Sequence, residues 1–246
     1  MDSAAAVIAI VAAVAYARGV RRVRAKRRWP IGRRIAWGAA LLTGVAAASI
    51  DDATDLRWHM VQHVGLGMVA PLLAALGAPL TLALQSGGPA TTKALRRALR
   101  SPVGRALGHP VLGWALFGGG VVALYLTPLL DVAARNGFVH AGVHAHIAVA
   151  GFLFVVPLVG TDVLPHPLPH GARLVAVLAA VPFHAFVGVA LLTAKRPVAP
   201  VAYPSIDQQH TAAAILMGSG ELLSLALAAL VFGRWWSAAG AGRDPS

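Results

Sequence analysis

The stretch HMVQHVGLGMVAPLLAALGAPLTLAL, residues 59–84, decides the fold class, because two histidines precede a continuous apolar run over residues 64–84. A bilayer core of about 30 Å needs roughly 20 apolar residues to be crossed by one helix. The run therefore predicts a membrane-spanning helix that begins with two histidines. It contains Pro71 and Pro79, so we expect this helix to kink or to end near residues 76–77.

The composition of the whole chain agrees with a membrane protein. Of the 246 residues, 57% are hydrophobic and only 12% are charged, which is too few polar residues to cover a water-soluble surface. The 21 Lys and Arg outnumber the 9 Asp and Glu, but they lie in short blocks between apolar runs, so nucleic acid is not an expected partner. There is no cysteine, so a metal would need His, Met, carboxylate or water ligands.

Apolar segments recur along the chain with membrane-spanning length. They predict an all-α, polytopic membrane helix bundle with about seven transmembrane helices, forming one integral membrane domain over residues 1–246. Residues 1–50 would form two N-terminal helices joined by a basic inner loop, and residues 55–232 a five-helix core that contains the histidines. The predicted spans are residues 3–18, 35–50, 58–84, 110–128, 139–160, 173–193 and 211–232.

The distribution of basic residues predicts the orientation. Apolar residues precede the first basic block, the reverse of a cleaved signal peptide, which predicts a retained anchor with its N-terminus outside. With seven spans the C-terminus is then inside, and 17 of the 21 basic residues fall on the inner side. Residues 197–207, which include three prolines, are expected to form an outer loop without regular structure.

Two histidine pairs stand at the outer ends of predicted spans. HMVQH places His59 and His63 four residues apart, and HAGVH does the same for His140 and His144. Residues four apart share one face of a helix, so each pair has the spacing of two ligands to one metal ion. Met60 adds a thioether near the first pair. Alternatively, each pair simply binds water or lipid headgroups at the interface.

The last two spans add further polar groups. His184 falls near mid-membrane, where an ionisable side chain is expected to face the bundle interior. DQQH begins the seventh span, and Asp207, His210, Met217 and Glu221 follow one helical stripe. Glu221 could instead pack at a close helix contact. The predicted metal ligands are therefore His59, His63, His140, His144, His184, Asp207 and His210.

These ligand types favour copper. Imidazole binds copper, zinc, iron or nickel, and the Irving–Williams order places Cu(II) at the top, while nearby methionines would also tolerate Cu(I). Zinc stays open, and calcium or magnesium would need more oxygen ligands. His109, His166 and His170 are expected to be solvated on the inner side, and a role for His146 is left open.

The order of these motifs resembles a known family. HMVQH with APLLAALGAPL, then HAGVHAHIAVAGFLFVVPL, FHAFVGVALL and DQQHTAAAILMGSGEL, over about residues 55–230, is similar to the CtaG-type multi-span membrane family of cytochrome c oxidase assembly factors. The resemblance implies a role in maturing a haem–copper oxidase by handling copper. The family motif maps here onto His59, Gln62, His63, His140, His144, His184, Asp207 and Gln208.

The sequence thus predicts a copper-handling assembly factor of the bacterial plasma membrane that is not an enzyme. Its expected partners are cytochrome c oxidase subunits and the lipid bilayer, and a homo-oligomer is left open. No G-x-S-x-G elbow or phosphate-binding P-loop is present. Two alternatives remain at this stage: a b-type membrane cytochrome with haem held by histidine, and a metal-free scaffold that holds oxidase subunits by helix packing.

Overall fold

Helices form every regular element in the part of the chain that the structure describes. The structure is a computed structural model in which residues 2–25, 28–164 and 167–241 are described. Its α-helices are α1 Asp2–Arg24, α2 Ile31–Ala48, α3 Leu56–Val64, α4 Ala70–Leu76, α5 Pro79–Ser86, α6 Pro89–Arg100, α7 Pro102–Leu107, α8 Pro110–Leu126, α9 Leu129–Arg135, α10 Gly137–Val159, α11 His170–Leu178, α12 Val181–Thr193 and α13 Ile206–Ala241.

The stretch that decides the fold contains a break in its helical pattern. Between α3 and α4, Gly65–Val69 forms a π turn, which lies directly before Pro71. A wider turn there accommodates the missing N–H and the ring of proline, which an uninterrupted α-helix would not. Helix α4 ends at Leu76, and Ala78 then takes a left-handed conformation with φ of 51°. The predicted end near residues 76–77 is confirmed.

The membrane spans agree in part with the prediction. Within the described ranges, five helical stretches are long and apolar enough to cross a membrane: Ala4–Arg24, Leu56–Leu76, Gly137–Val159, His170–Thr193 and Ile206–Ala238. Helices α8 and α9, bent by 79° relative to each other, would add a sixth. Helix α2 carries Arg33 and Arg34 in its first turn and is not among them. The count of seven and the orientation of the termini stay predictions.

The third predicted span extended too far along the chain. Residues 79–84 belong to α5, which begins after the left-handed residue and is separate from the spanning stretch. Two short helices follow, and α6 has its basic residues Lys93, Arg96, Arg97 and Arg100 all exposed. The sequence had predicted a loop at this place. The pattern of α6 is amphipathic, which is typical of a helix at a membrane interface.

Helix α10 is the centre of the bundle. It packs against α8, α4 and the π turn, while α13 packs against α3, α11 and α12. The closest approach lies at Gly151, where an added Cβ would overlap the carbonyl of Gly67 in the π turn. Small residues permit this approach, as is common between membrane helices.

One end of the bundle gathers the residues of interest. Helices α3, α10 and α13 begin at this end, and a buried core there includes Met60, Tyr125, Leu191 and Tyr203. Residues 194–205, which precede α13, have no helix, so the predicted irregular loop is confirmed as far as residue 205, whereas residues 206–207 already belong to α13. Its position on the outer side stays a prediction. Its Tyr203 is buried in that core, so the loop covers the start of α3.

Candidate metal centre

Two helix starts hold the paired histidines in fixed positions. Asp55 caps α3 by accepting a hydrogen bond from the backbone N–H of Arg57, and Asn136 caps α10 by accepting from Phe138 and Val139. Such caps satisfy backbone donors that have no partner within the helix. Because each helix begins at its cap, the histidines of both pairs lie in the first turns of their helices, on facing surfaces.

The two pairs meet and form a single group of rings, which we call the four-histidine cluster: His59, His63, His140 and His144. Ring centroids are 4.0 Å apart for His59 and His63, and 4.2 Å apart for His140 and His144. Between the helices, His63 lies 5.2 Å from His144 and His59 lies 5.8 Å from His140. The rings of the two pairs thus lie side by side at one place in the bundle, and their binding of a metal stays a prediction.

The spacing of nitrogen atoms suits a single ion. One ligand nitrogen from each of His59, His63 and His140 lies within 4.8 Å of the other two. Nitrogen ligands at about 2.0–2.1 Å from one metal lie within roughly 4 Å of each other, so small ring rotations would complete the site. His144 contacts both His63 and His140 and is placed to be a fourth ligand.

All four rings present an unpaired nitrogen. The Nε2 atoms of His59, His63, His140 and His144 are buried and have no hydrogen-bond partner among the described residues. Buried polar atoms are nearly always paired, because leaving one unpaired costs about 1–3 kcal/mol. Four such atoms at one place therefore make this the candidate ligand position of the bundle.

Two of the rings are oriented by polar partners. His59 Nδ1 lies 2.6 Å from Asp52 Oδ2, and His63 Nδ1 lies 3.0 Å from the hydroxyl oxygen of Tyr125. A carboxylate or hydroxyl on Nδ1 favours the tautomer whose Nε2 is free to bind a ligand, an arrangement that is usual for metal-binding histidines. Neither Asp52 nor Tyr125 was predicted from the sequence.

Asp52 is an acidic residue beside the four-histidine cluster. Burial alone would raise the pKa of Asp52, but the hydrogen bond with His59 and the charges of His59 and His140 outweigh it, so this pKa lies below its usual value. Asp52 Oδ2 is also 3.7 Å from His140 Nε2. The hydroxyl of Tyr203 donates to the Asp52 backbone carbonyl at 3.1 Å, and burial raises the pKa of Tyr203.

The other predicted ligands lie elsewhere. Asp207 is exposed in the first turn of α13, and its neighbour Gln209 is the residue that points inward, bonding the backbone of Val198 and Leu191. Asp52 therefore contacts the cluster where the sequence predicted Asp207. His210 is half-buried and is not among the residues whose nitrogens converge.

His184 is buried but separate from the convergent nitrogens. It lies on α12, 2% exposed, with its ring centroid 5.6 Å from that of Phe117. Met60, next to the first pair, is fully buried, whereas Glu221 is exposed. Asp207 and Glu221 are exposed, whereas Met217 lies against Gly188 of α12. The predicted polar stripe on α13 therefore does not form one inward face.

The remaining histidines have other surroundings. His109 caps α8 by accepting a hydrogen bond from the N–H of Val111, and His146 Nε2 is 3.2 Å from the Leu116 carbonyl oxygen. His170 stacks on Trp235 with ring centroids 6.5 Å apart, so it is not simply solvated as predicted. His166 lies outside the described residues.

The fold and this site define a class: a polytopic helical protein with a histidine cluster at one end of its bundle. The family model for the cytochrome c oxidase caa3 assembly factor, Caa3_CtaG, matches residues 14–238, and the chain belongs to this family. The resemblance found in the sequence motifs is therefore confirmed.

Relatives of the chain occur in mycobacteria. An uncharacterized protein of Mycobacterium leprae, ML1998, is 32% identical over 259 residues, which cover 95% of this chain and 39% of that protein. The uncharacterized protein Mb0105 of Mycobacterium bovis is 34% identical over 222 residues, covering 84% of this chain and 33% of the relative. The chain thus spans well under half the length of these relatives. No solved structure matches it.

Proposed function

We propose that this chain binds copper in the four-histidine cluster and passes it on during assembly of a haem–copper cytochrome c oxidase. The observation that carries this proposal is the group of four adjoining histidine rings, each with a buried Nε2 that has no partner among the described residues. The family to which the chain belongs is described as a caa3 oxidase assembly factor, which supports the destination of the metal. A binding and delivery role needs no catalysis, so we propose that the chain is not an enzyme.

The donor set fits copper as the cargo. Three or four imidazoles favour a borderline metal, and Cu(II) forms the most stable complexes in the Irving–Williams series. Zinc accepts the same ligands and remains the main competitor. Asp52 lies beside the cluster, and its pKa below the usual value keeps a negative charge there at neutral pH. That charge offsets part of the cost of burying a dication.

The residues of this chain have distinct roles in holding and releasing the ion. The rings of His59 and His63 are held by Asp52 and Tyr125, so these two histidines form the fixed side of the site. His140 is less buried than His59, with a side chain 15% exposed against 1%. We therefore propose that the ion enters and leaves past His140, by exchange of one ligand at a time.

The partners follow from the same proposal. An oxidase subunit would receive the ion within the membrane, at the end of the bundle where α3 and α10 begin. The apolar helices support residence in the cell membrane, and whether the chain forms a homo-oligomer stays open. A cysteine-free site of imidazoles suits delivery, because such ligands exchange more readily than thiolates. The haem alternative is less favoured, since rings with centroids 4.0–5.8 Å apart leave no gap for a porphyrin.

The decisive experiment is metal analysis of the purified full chain with and without the cluster. Wild-type protein loaded with Cu(II) should retain copper after desalting, and His63→Ala combined with His140→Ala should lose it. The matched control is His109→Ala combined with His170→Ala, which changes two histidines outside the cluster and should retain copper. Unchanged copper in the cluster variant would refute the site.

The same samples separate the alternatives. An intense Soret band in the visible spectrum would identify haem and exclude the copper proposal. A scaffold role would be indicated if the cluster variant, free of metal, restored oxidase activity fully in cells that lack the native protein. We expect instead that oxidase protein accumulates in such cells with its copper content strongly reduced.

A further inference from the structure

A cavity lies deeper in the bundle, next to the four-histidine cluster. Its volume is about 30 Å³, and it is enclosed by α3, the π turn, α8, α10, α12 and α13. A volume of about 10–15 Å³ on this measure is enough to hold one water molecule, so the cavity has room for an ion or for water. The polar and thioether side chains in its wall are those of Met60, His63, Met68, Tyr125, His146 and His184.

A backbone group of Ala180 lies near the ring of His184, but neither ring nitrogen forms a hydrogen bond of normal length and angle. The residue is 2% exposed, and both Nδ1 and Nε2 are buried without a hydrogen bond among the described residues. A neutral imidazole has one donor and one acceptor, so burying both unpaired is costly. His146, which also lines the cavity, differs because its Nε2 lies 3.2 Å from the Leu116 carbonyl. Of the cavity histidines outside the four-histidine cluster, His184 is therefore the one whose ring nitrogens are both free to bind a ligand.

Two thioethers share the cavity with His184. Met60 is fully buried on α3, and Met68 lies five residues beyond His63 in the π turn. Thioether sulfur is a soft ligand that favours Cu(I), and imidazole also binds copper. No carboxylate lines the cavity in the described part of the chain, so a dication there would lack a balancing charge, and a monovalent ion costs less to bury.

We propose that this cavity is a second metal site, in which His184 with Met60 and Met68 binds Cu(I). This second site differs from the copper cluster in its ligands, two of which are thioethers. His63 lies in the wall of the cavity and also belongs to the cluster. The two sites therefore adjoin through His63.

Anaerobic titration of the full chain in detergent tests the second site. Cu(I) is added in competition with a coloured Cu(I) chelator, and bound copper per chain is counted. Wild-type protein should bind two Cu(I), and His184→Leu should bind one. His170→Leu, the same substitution earlier in the same span, is the matched control and should bind two. His140→Ala with His144→Ala should leave one Cu(I), held in the cavity.

Sulfur ligation provides an independent readout. X-ray absorption of the His140→Ala, His144→Ala protein loaded with Cu(I) should show copper–sulfur scattering. Met68→Leu nearly conserves volume, so it should fold normally and weaken the remaining Cu(I) about tenfold or more. Met60→Leu together with Met68→Leu should remove the sulfur scattering, and size-exclusion chromatography checks that each variant remains folded.

The outcomes separate the two sites. Suppose that wild-type protein binds one Cu(I), that His184→Leu still binds it, and that the His140→Ala, His144→Ala variant does not. The cavity site is then overturned and the cluster stands. If instead only His184→Leu loses copper, the cluster proposal fails and the cavity site stands. If the His140→Ala, His144→Ala protein retains its copper but shows no copper–sulfur scattering, the cavity holds water and the second site is overturned.

Discussion

Replacing Asp52 by asparagine tests whether the carboxylate beside the cluster supports metal binding. The asparagine side chain would keep an oxygen acceptor of similar size near His59 Nδ1, now 2.6 Å from Asp52 Oδ2, but it would remove the negative charge. The carboxylate oxygen is also 3.7 Å from His140 Nε2, so its charge acts on two of the four rings. The change therefore weakens the site electrostatically and leaves its shape intact.

The expected loss follows from the role of Asp52 as an outer partner. Removing such a partner of a metal-binding histidine costs roughly 10–100-fold in metal affinity. Asp52→Asn should fall near the lower limit, about tenfold or ~1.4 kcal/mol, because the hydrogen bond survives. Asp52→Ala should approach about 100-fold, because His59 then also loses the contact that fixes its tautomer.

The assay is competition of the purified protein with a coloured chelator for Cu(II), repeated with Zn(II). Asp51→Asn is the matched control: this neighbour is exposed, its side chain accepts the N–H of Ala53, and its change should leave affinity within error. Equal affinity of Asp52→Asn and wild-type protein for both metals would refute the assigned role of Asp52.

The same variant has a defined pH signature in stability. The pKa of Asp52 is lowered in the folded chain, so its ionised form stabilises the fold above the unfolded pKa of about 3.9. That contribution disappears as pH falls through the lower folded pKa. Wild-type protein should therefore lose stability below about pH 4 more steeply than Asp52→Asn, as measured by thermal unfolding of the metal-free protein in detergent.

Three further outcomes are expected. Tyr125→Phe removes the hydroxyl on His63 Nδ1 and should weaken Cu(II) binding about tenfold with little loss of packing, measured by the same competition. Gly151→Ala should lower the melting temperature, with overpacking costing about 1–3 kcal/mol against the Gly67 carbonyl, whereas Gly142→Ala, which meets nothing within 4 Å, should not. Copper affinity of the wild-type cluster should fall as pH is lowered, because protons compete for the imidazole nitrogens. Burial disfavours the charged rings, so the fall should come below the usual imidazole pKa of about 6.5, and an affinity still unchanged at about pH 4 would contradict imidazole ligation.

Local pattern was sufficient where function depends on spacing within one helix. Each pair of histidines four residues apart lies on one helical face whatever its surroundings, and Gly77 with the prolines predicted the end of α4. The apolar lengths likewise predicted membrane helices. They did not predict α6, because a basic amphipathic helix has no apolar run long enough to count as a span.

The sequence by itself therefore determined the class of protein, the two histidine pairs and the family, since these follow from local spacing and hydropathy. Only the tertiary structure decided which residues complete the site. Asp52 and Tyr203 lie 151 residues apart and meet through a loop, and Tyr125 reaches His63 from α8. The sequence predicted Asp207 as a ligand, whereas the structure places Asp52 beside the cluster. The rotation of a helix about its axis is set by packing against its neighbours, so a short motif does not show which of its residues face inward.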